Sequence, residues 1–115
     1  MDGRVQLPVT EWLKQRFQVE YVDMITEAGP AKILADDQPR RLVESIYNRV
    51  ELSITKHHAK IVAVTGHHDC AGNPVNEETQ LKQIKKSMDV VSSWGFDVRV
   101  IGLWVDENWQ VSEVE

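Results

Sequence analysis

Val62-Ala63-Val64-Thr65-Gly66-His67-His68-Asp69-Cys70-Ala71-Gly72-Asn73-Pro74 is the stretch that decides the fold of this 115-residue chain. A short run of β-branched and small apolar residues stops at a glycine. Directly after it come two imidazoles, a carboxylate and the only cysteine in the sequence. A strand ending this way in an open α/β sheet delivers its chemistry to the crevice at the carboxyl ends of the strands. The reading is therefore a strand over residues 60–65, apolar enough to be covered on both faces, followed by a loop over 66–74 that carries the function.

Working outward, the flanking segments read as helices. Upstream, Leu42, Val43, Ile46, Tyr47, Val50 and Ile54 form one apolar stripe at helical spacing, with Asp36 and Asp37 as candidate caps and Pro39 in the first turn. Asp36 with Arg40 and Asp37 with Arg41 are acid-before-base pairs four apart. Lys56, His57 and His58 fall at the carboxyl end, where positive charge is favoured, and they read as a solvated terminus. Downstream, Asn76 is a candidate cap for a helix reaching about Trp94, with Leu81, Ile84, Met88 and Val91 on one face and Gly95 as its stop. Lys82, Lys85 and Lys86 read as its solvated side.

Further out, residues 8–17 form a first helix, with Pro8 in its opening turn and Val9, Trp12, Leu13 and Phe17 spaced as one face. Residues 18–26, rich in β-branched and aromatic side chains, read as a buried strand that halts at Glu27-Ala28-Gly29-Pro30. A last strand is expected over 96–105, then a turn at Asp106-Glu107-Asn108 and a short returning strand or tail over 109–114. Strands alternating with helices of this length imply parallel strands, right-handed crossovers and helices on both faces. The expected class is α/β, a parallel sheet flanked by helices, in a single domain over 1–115.

Composition narrows the function. With 18 acidic and 13 basic residues the formal net charge is -5, and such a surface does not gather nucleic acid. No apolar run reaches the roughly 20 residues of a membrane helix, and Met-Asp-Gly-Arg-Val lacks the apolar core of a signal peptide. A single cysteine forms no internal disulfide, in keeping with a reducing compartment. A cytoplasmic protein is the expectation.

His67 and Cys70 stand three apart, so a loop can aim both at one point, and imidazole nitrogen with thiolate sulfur is a donor pair that zinc accepts. Two other readings stay open. Cys70 is a small buried hydrophobe beside loop-capping histidines, or it is a thiolate nucleophile with His67 or His68 as its base.

Gly66-His67-His68-Asp69-Cys70-Ala71 resembles the Gly-His-x-x-Cys-Gly motif of β-class carbonic anhydrases. Three further places agree in the same order along the chain. Met1-Asp2-Gly3-Arg4 resembles the last four positions of that family's Cys-x-Asp-x-Arg motif. Met24-Ile25-Thr26-Glu27-Ala28-Gly29-Pro30 is similar to its strand ending in Arg-Asn-Ala-Gly-Asn. Val100-Ile101-Gly102-Leu103-Trp104-Val105-Asp106 is similar to its last core strand and turn. The resemblance implies that His67 and Cys70 bind zinc and that Ala28 and Gly29 border the substrate, carbon dioxide or bicarbonate. It also implies that Asp2 and Arg4 form an ion-paired dyad, with Asp2 accepting a hydrogen bond from zinc-bound hydroxide or closing the fourth coordination position. Two departures stand out. The family's first zinc ligand is a cysteine immediately before the position of Met1, and neither it nor the strand leading to it is in these residues; the expectation is a start set too late. Glu27 and Pro30 also change the loop beside the substrate.

A sheet without that strand leaves apolar edges that seek another chain, and the family is typically dimeric or larger, so a homo-oligomer is expected. The leading function is a zinc-dependent carbonate dehydratase or a zinc-binding relative of one. The alternative is a non-catalytic α/β binding or regulatory module that kept the fold without a complete metal site.

Overall fold

A computed structural model describes residues 1–115. The elements run α1 (Gly3–Phe17), α2 (Pro30–Asp36), α3 (Arg40–His57), β1 (Ile61–His67), α4 (Glu77–Ser93), β2 (Arg99–Val105) and β3 (Val111–Val114). The sheet has the order β1-β2-β3. β1 and β2 are parallel from Ile61 opposite Arg99 to His67 opposite Val105, and β3 returns antiparallel along β2. The class is α/β as expected, but the sheet is mixed: the four residues of β3 follow a tight turn, which can join only antiparallel neighbours. No helix is long and apolar enough to cross a membrane.

Alternation along β2 divides the core. Ile101, Leu103 and Val105 face α1, where they are buried with Val5, Val9 and Leu13. Trp104 points the other way, joining Val43, Ile46 and Val50 of α3, Ile84 and Val91 of α4, and Ile33 and Leu34 of α2. α4 rides close on the sheet because two strand positions lack side chains. A Cβ on Gly66 would lie 2.8 Å from Ile84 Cδ1, and one on Gly102 would lie 2.6 Å from Ile84 Cγ2. The buried face of α4 is Gln80, Ile84, Ser87 and Val91, so Leu81 and Met88 flank it instead of defining it. Ser87 Oγ donates to the Ala31 carbonyl at 2.7 Å and ties α4 to α2.

Several boundaries differ from expectation for identifiable reasons. α1 starts at Gly3, not near Pro8, because the Asp2 side chain caps it by accepting from Arg4 N at 2.9 Å. Pro8 thus lies inside the helix. α2 was not anticipated: Gly29 takes the left-handed conformation (φ 66°), Pro30 opens the helix, and Asp37 ends it in the left-handed region. α3 then begins at Arg40 after Pro39, with no side-chain cap, and Asp36 pairs backward with Lys32 at 2.8 Å. β2 begins at Arg99, three residues later than expected.

The largest correction concerns residues 18–26, expected as a buried strand. Gln18 is the left-handed cap that ends α1, and residues 20–26 are assigned to no strand or helix. The β-branched content is real, but a strand needs a partner, and β1 pairs only with β2. Between residues 19–27 and the free edge of β1 lies a groove of about 1130 Å³. For the same reason Ile61, Val62 and Ala63 are only half-buried, where cover on both faces was expected. Residues 20–26 are held from outside instead, by Asp23, whose Oδ2 accepts from Ser53 Oγ at 2.6 Å and lies 2.6 Å from His57 Nδ1 on α3.

Candidate functional site

β1 runs two residues further than expected, so His67 is its last residue and not part of the loop. That position fixes it. The Gln80 carboxamide on α4 accepts from His67 N at 3.2 Å and donates to His67 O at 2.8 Å, standing in for the missing strand neighbour. His68 N donates to Val105 O at 2.9 Å and prolongs the register by one step. His67 Nδ1 lies 2.8 Å from the His68 carbonyl. A carbonyl only accepts, so Nδ1 carries the proton, and of the two neutral tautomers this contact selects the one whose lone pair is on Nε2. This is the tautomer that a metal-binding histidine needs, fixed by a backbone oxygen.

The loop then turns through Asp69, which is left-handed (φ 56°), to Cys70. Cys70 is a buried free thiol with 7% of its surface exposed, against 8% for His67. Both side chains are therefore screened from bulk water. Beyond them, Gly72 packs backbone to backbone on Ala28 and Gly29. A Cβ on Gly72 would stand 2.5 Å from Ala28 C, and one on Gly29 would stand 2.7 Å from Gly72 O. The Ala28-Gly29 loop and the Gly66–Pro74 loop, 37 residues apart from Gly29 to Gly66, are thereby brought into contact.

Asp2 and Arg4 form a close pair. Arg4 Nε donates to both Asp2 oxygens at 3.0 and 3.2 Å, and Nη2 to Asp2 Oδ2 at 2.6 Å. Hydrogen bonds from the Arg4 side chain and backbone hold the Asp2 carboxyl well below the usual carboxylate range, and the same pairing raises Arg4. Arg4 also donates from Nη1 to Asp69 Oδ2 at 3.2 Å and from Nη2 to Asp69 O at 3.3 Å, and its guanidinium lies 4.5 Å from the centroid of Trp109. Asp2 and His67 both line the groove, as do Met1, whose amino group donates to Glu27 O at 3.0 Å, and Glu27.

The residues singled out from sequence thus fall in one region: His67 and Cys70 on and after β1, Asp2 and Arg4 at the start of α1, and Ala28 and Gly29 against Gly72. No group of three His, Cys, Asp or Glu side chains is arranged to hold a metal ion. By donor chemistry the imidazole and thiol suit zinc, so this pair fits part of a zinc set that needs a third donor. Sequence reasoning missed Gln80, Trp109 and the part played by Asp69. Gln80 carried a signal, since Gln80, Ile84, Ser87 and Val91 share a helical face and a polar residue there has to find a partner inside.

A family model described as "Putative carbonic anhydrase" matches residues 1–115. No curated protein and no solved structure matches the chain.

Proposed function

Because the chain belongs to this carbonic anhydrase family along all 115 residues, we propose that it is a β-class-like zinc protein acting on carbon dioxide and bicarbonate. The observation that carries this is His67. It is buried, locked by Gln80, and left with a free Nε2 three residues before a buried thiol. His67 Nε2 and Cys70 Sγ would hold the metal. Zinc, when bound, makes water a competent nucleophile near neutral pH.

The remaining roles belong to the chain itself. Asp2 stays ionised because Arg4 donates to both of its oxygens, so it can accept a hydrogen bond from a donor presented beside His67. Ala28 and Gly29, pressed against Gly72, form a wall made largely of backbone, suited to a small neutral molecule. Glu27 does not face this wall as a free carboxylate, because it is paired with Arg49.

The third donor is proposed to be a cysteine on a strand that enters at Met1. The groove supports this. It is flanked on one side by the free edge of β1 and on the other by the unladdered residues 20–26, and Met1, Asp2 and His67 all line it. A strand lying there parallel to β1 would pair with both. The coding DNA upstream of Met1 tests the point: an in-frame cysteine codon after an apolar run is expected.

Metal analysis of the purified protein, carrying any such upstream strand, with His67→Ala and Cys70→Ala alongside tests the whole reading. Near-stoichiometric zinc that disappears in both variants is expected, together with carbon dioxide hydration by stopped flow. A zinc-free parent would instead indicate the non-catalytic module.

A further inference from the structure

The contacts around Arg4 exceed what a salt bridge with Asp2 requires. Asp2 already engages Nε and Nη2. Asp69 adds a carboxylate oxygen on Nη1 and a carbonyl on Nη2, and Trp109 covers the guanidinium plane at 4.5 Å. These two partners come from separate parts of the chain, the loop after β1 and the turn between β2 and β3. Both are non-glycine residues in the left-handed region, Asp69 at φ 56° and Trp109 at φ 58°. For a bulky indole that conformation is a genuine outlier, and such strain persists only where the surroundings enforce it. Here the Asp106 carboxylate enforces it, with Oδ1 accepting from Asn108 N and Gln110 N at 2.9 Å each, while Trp109 N donates to Asp106 O at 3.0 Å. A glycine would meet the needs of this turn at lower cost. The turn therefore aims the indole at Arg4. The His68 ring meets the same indole edge to face, 6.5 Å between centroids.

We propose that Trp109 and Asp69 are positioning residues that clamp the Arg4 guanidinium and, through it, hold the Asp2 carboxylate in one orientation beside His67. The clamp concerns Arg4 and its own contacts alone. Its effect on turnover rests on the function proposed above. A planar guanidinium suits such a clamp because it can stack on a ring while donating in its own plane. Without the indole and the second carboxylate, Arg4, whose side chain is 46% exposed, would swing with Asp2 as a solvated pair.

The test uses Trp109→Gly, Trp109→Phe and Asp69→Asn. Glycine relieves the positive φ, so the turn is retained while the ring is lost. Phenylalanine keeps a ring, and asparagine tolerates the left-handed backbone while losing the charge. The Arg4 Nε–H signal is followed by nitrogen-15 NMR. In the parent it should be displaced by the Trp109 ring current and exchange slowly with water. In Trp109→Gly the displacement should vanish and exchange should quicken by about fivefold, with Asp69→Asn quickening it less and Trp109→Phe staying near the parent. Carbon dioxide hydration should fall about fivefold in kcat for Trp109→Gly and recover in Trp109→Phe. An Arg4 signal and exchange rate unchanged in both Trp109→Gly and Asp69→Asn would overturn the clamp, whatever the activity. A clamped Arg4 in a parent that hydrates no carbon dioxide would uphold the clamp and sink the proposed reaction, so the two failures are distinguishable.

Discussion

At the residue scale, the candidate site depends on side chains that hold other side chains. His67 owes its backbone position to Gln80 and its tautomer to the His68 carbonyl. Gln80→Ala would leave the His67 N–H and C=O without their partners in a region where Gln80 itself is only 2% exposed. The expected cost is about 2–3 kcal/mol, the desolvation penalty of unpaired buried groups, measured as a lower urea midpoint. A loss below about 0.5 kcal/mol would mean that water replaces the carboxamide. His67 and Cys70 could be singled out from sequence because a His-x-x-Cys spacing and these two donor types are legible in neighbouring residues. Trp109 could not, because nothing in Glu107-Asn108-Trp109-Gln110 indicates a partner at position 4.

At the scale of elements, the helices could be read more securely than the segment before α2. The α3 stripe of Val43, Ile46 and Val50 and the Asn76 cap of α4, which accepts from Thr79 N at 2.9 Å, match the sequence reading. Residues 20–26 do not, because strand formation depends on a neighbour that β propensity cannot supply. What holds this segment to α3 is the Asp23 carboxylate, lowered from its ordinary value first by the Ser53 hydrogen bond and then by His57. A carboxylate whose folded pKa is depressed contributes its full stabilisation above its unfolded value of about 3.9, and loses it as pH falls through the folded value. Asp2 behaves alike. Thermal melts should therefore show the parent losing stability below about pH 4. Asp23→Asn should decline less steeply over that range while being less stable at pH 7. The difference should stay below about 1 kcal/mol, because Asp23 is 40% exposed and solvent screens the interaction. An equally steep acid decline in Asp23→Asn would show that the latch is not linked to this carboxylate.

At the scale of the whole molecule, the open groove is the main unsatisfied feature. Met1, Val19, Tyr21 and Met24 are exposed hydrophobic residues on its walls, and β1 presents an unpaired edge to it. Unpaired edges with apolar borders recruit other strands. The 115-residue chain is therefore expected to self-associate, and light scattering after size exclusion should return a mass of a dimer or more. An added amino-terminal strand that fills the groove should raise the thermal midpoint. A stable monomer with no gain from the added strand would count against a strand slot.

The sequence by itself determined the α/β class, three of the four helices and the resemblance to carbonic anhydrases that the family match upholds, and it singled out His67 and Cys70 as candidates, because local periodicity and donor spacing are properties of neighbouring residues. Only the tertiary structure decided that residues 20–26 lie apart from the sheet and that β3 turns back. Tertiary structure alone also brought Gln80, Asp69 and Trp109 to the site. Each of these depends on whether a distant backbone or side chain arrives within a few ångströms, and the spacing of residues along the chain does not encode that distance.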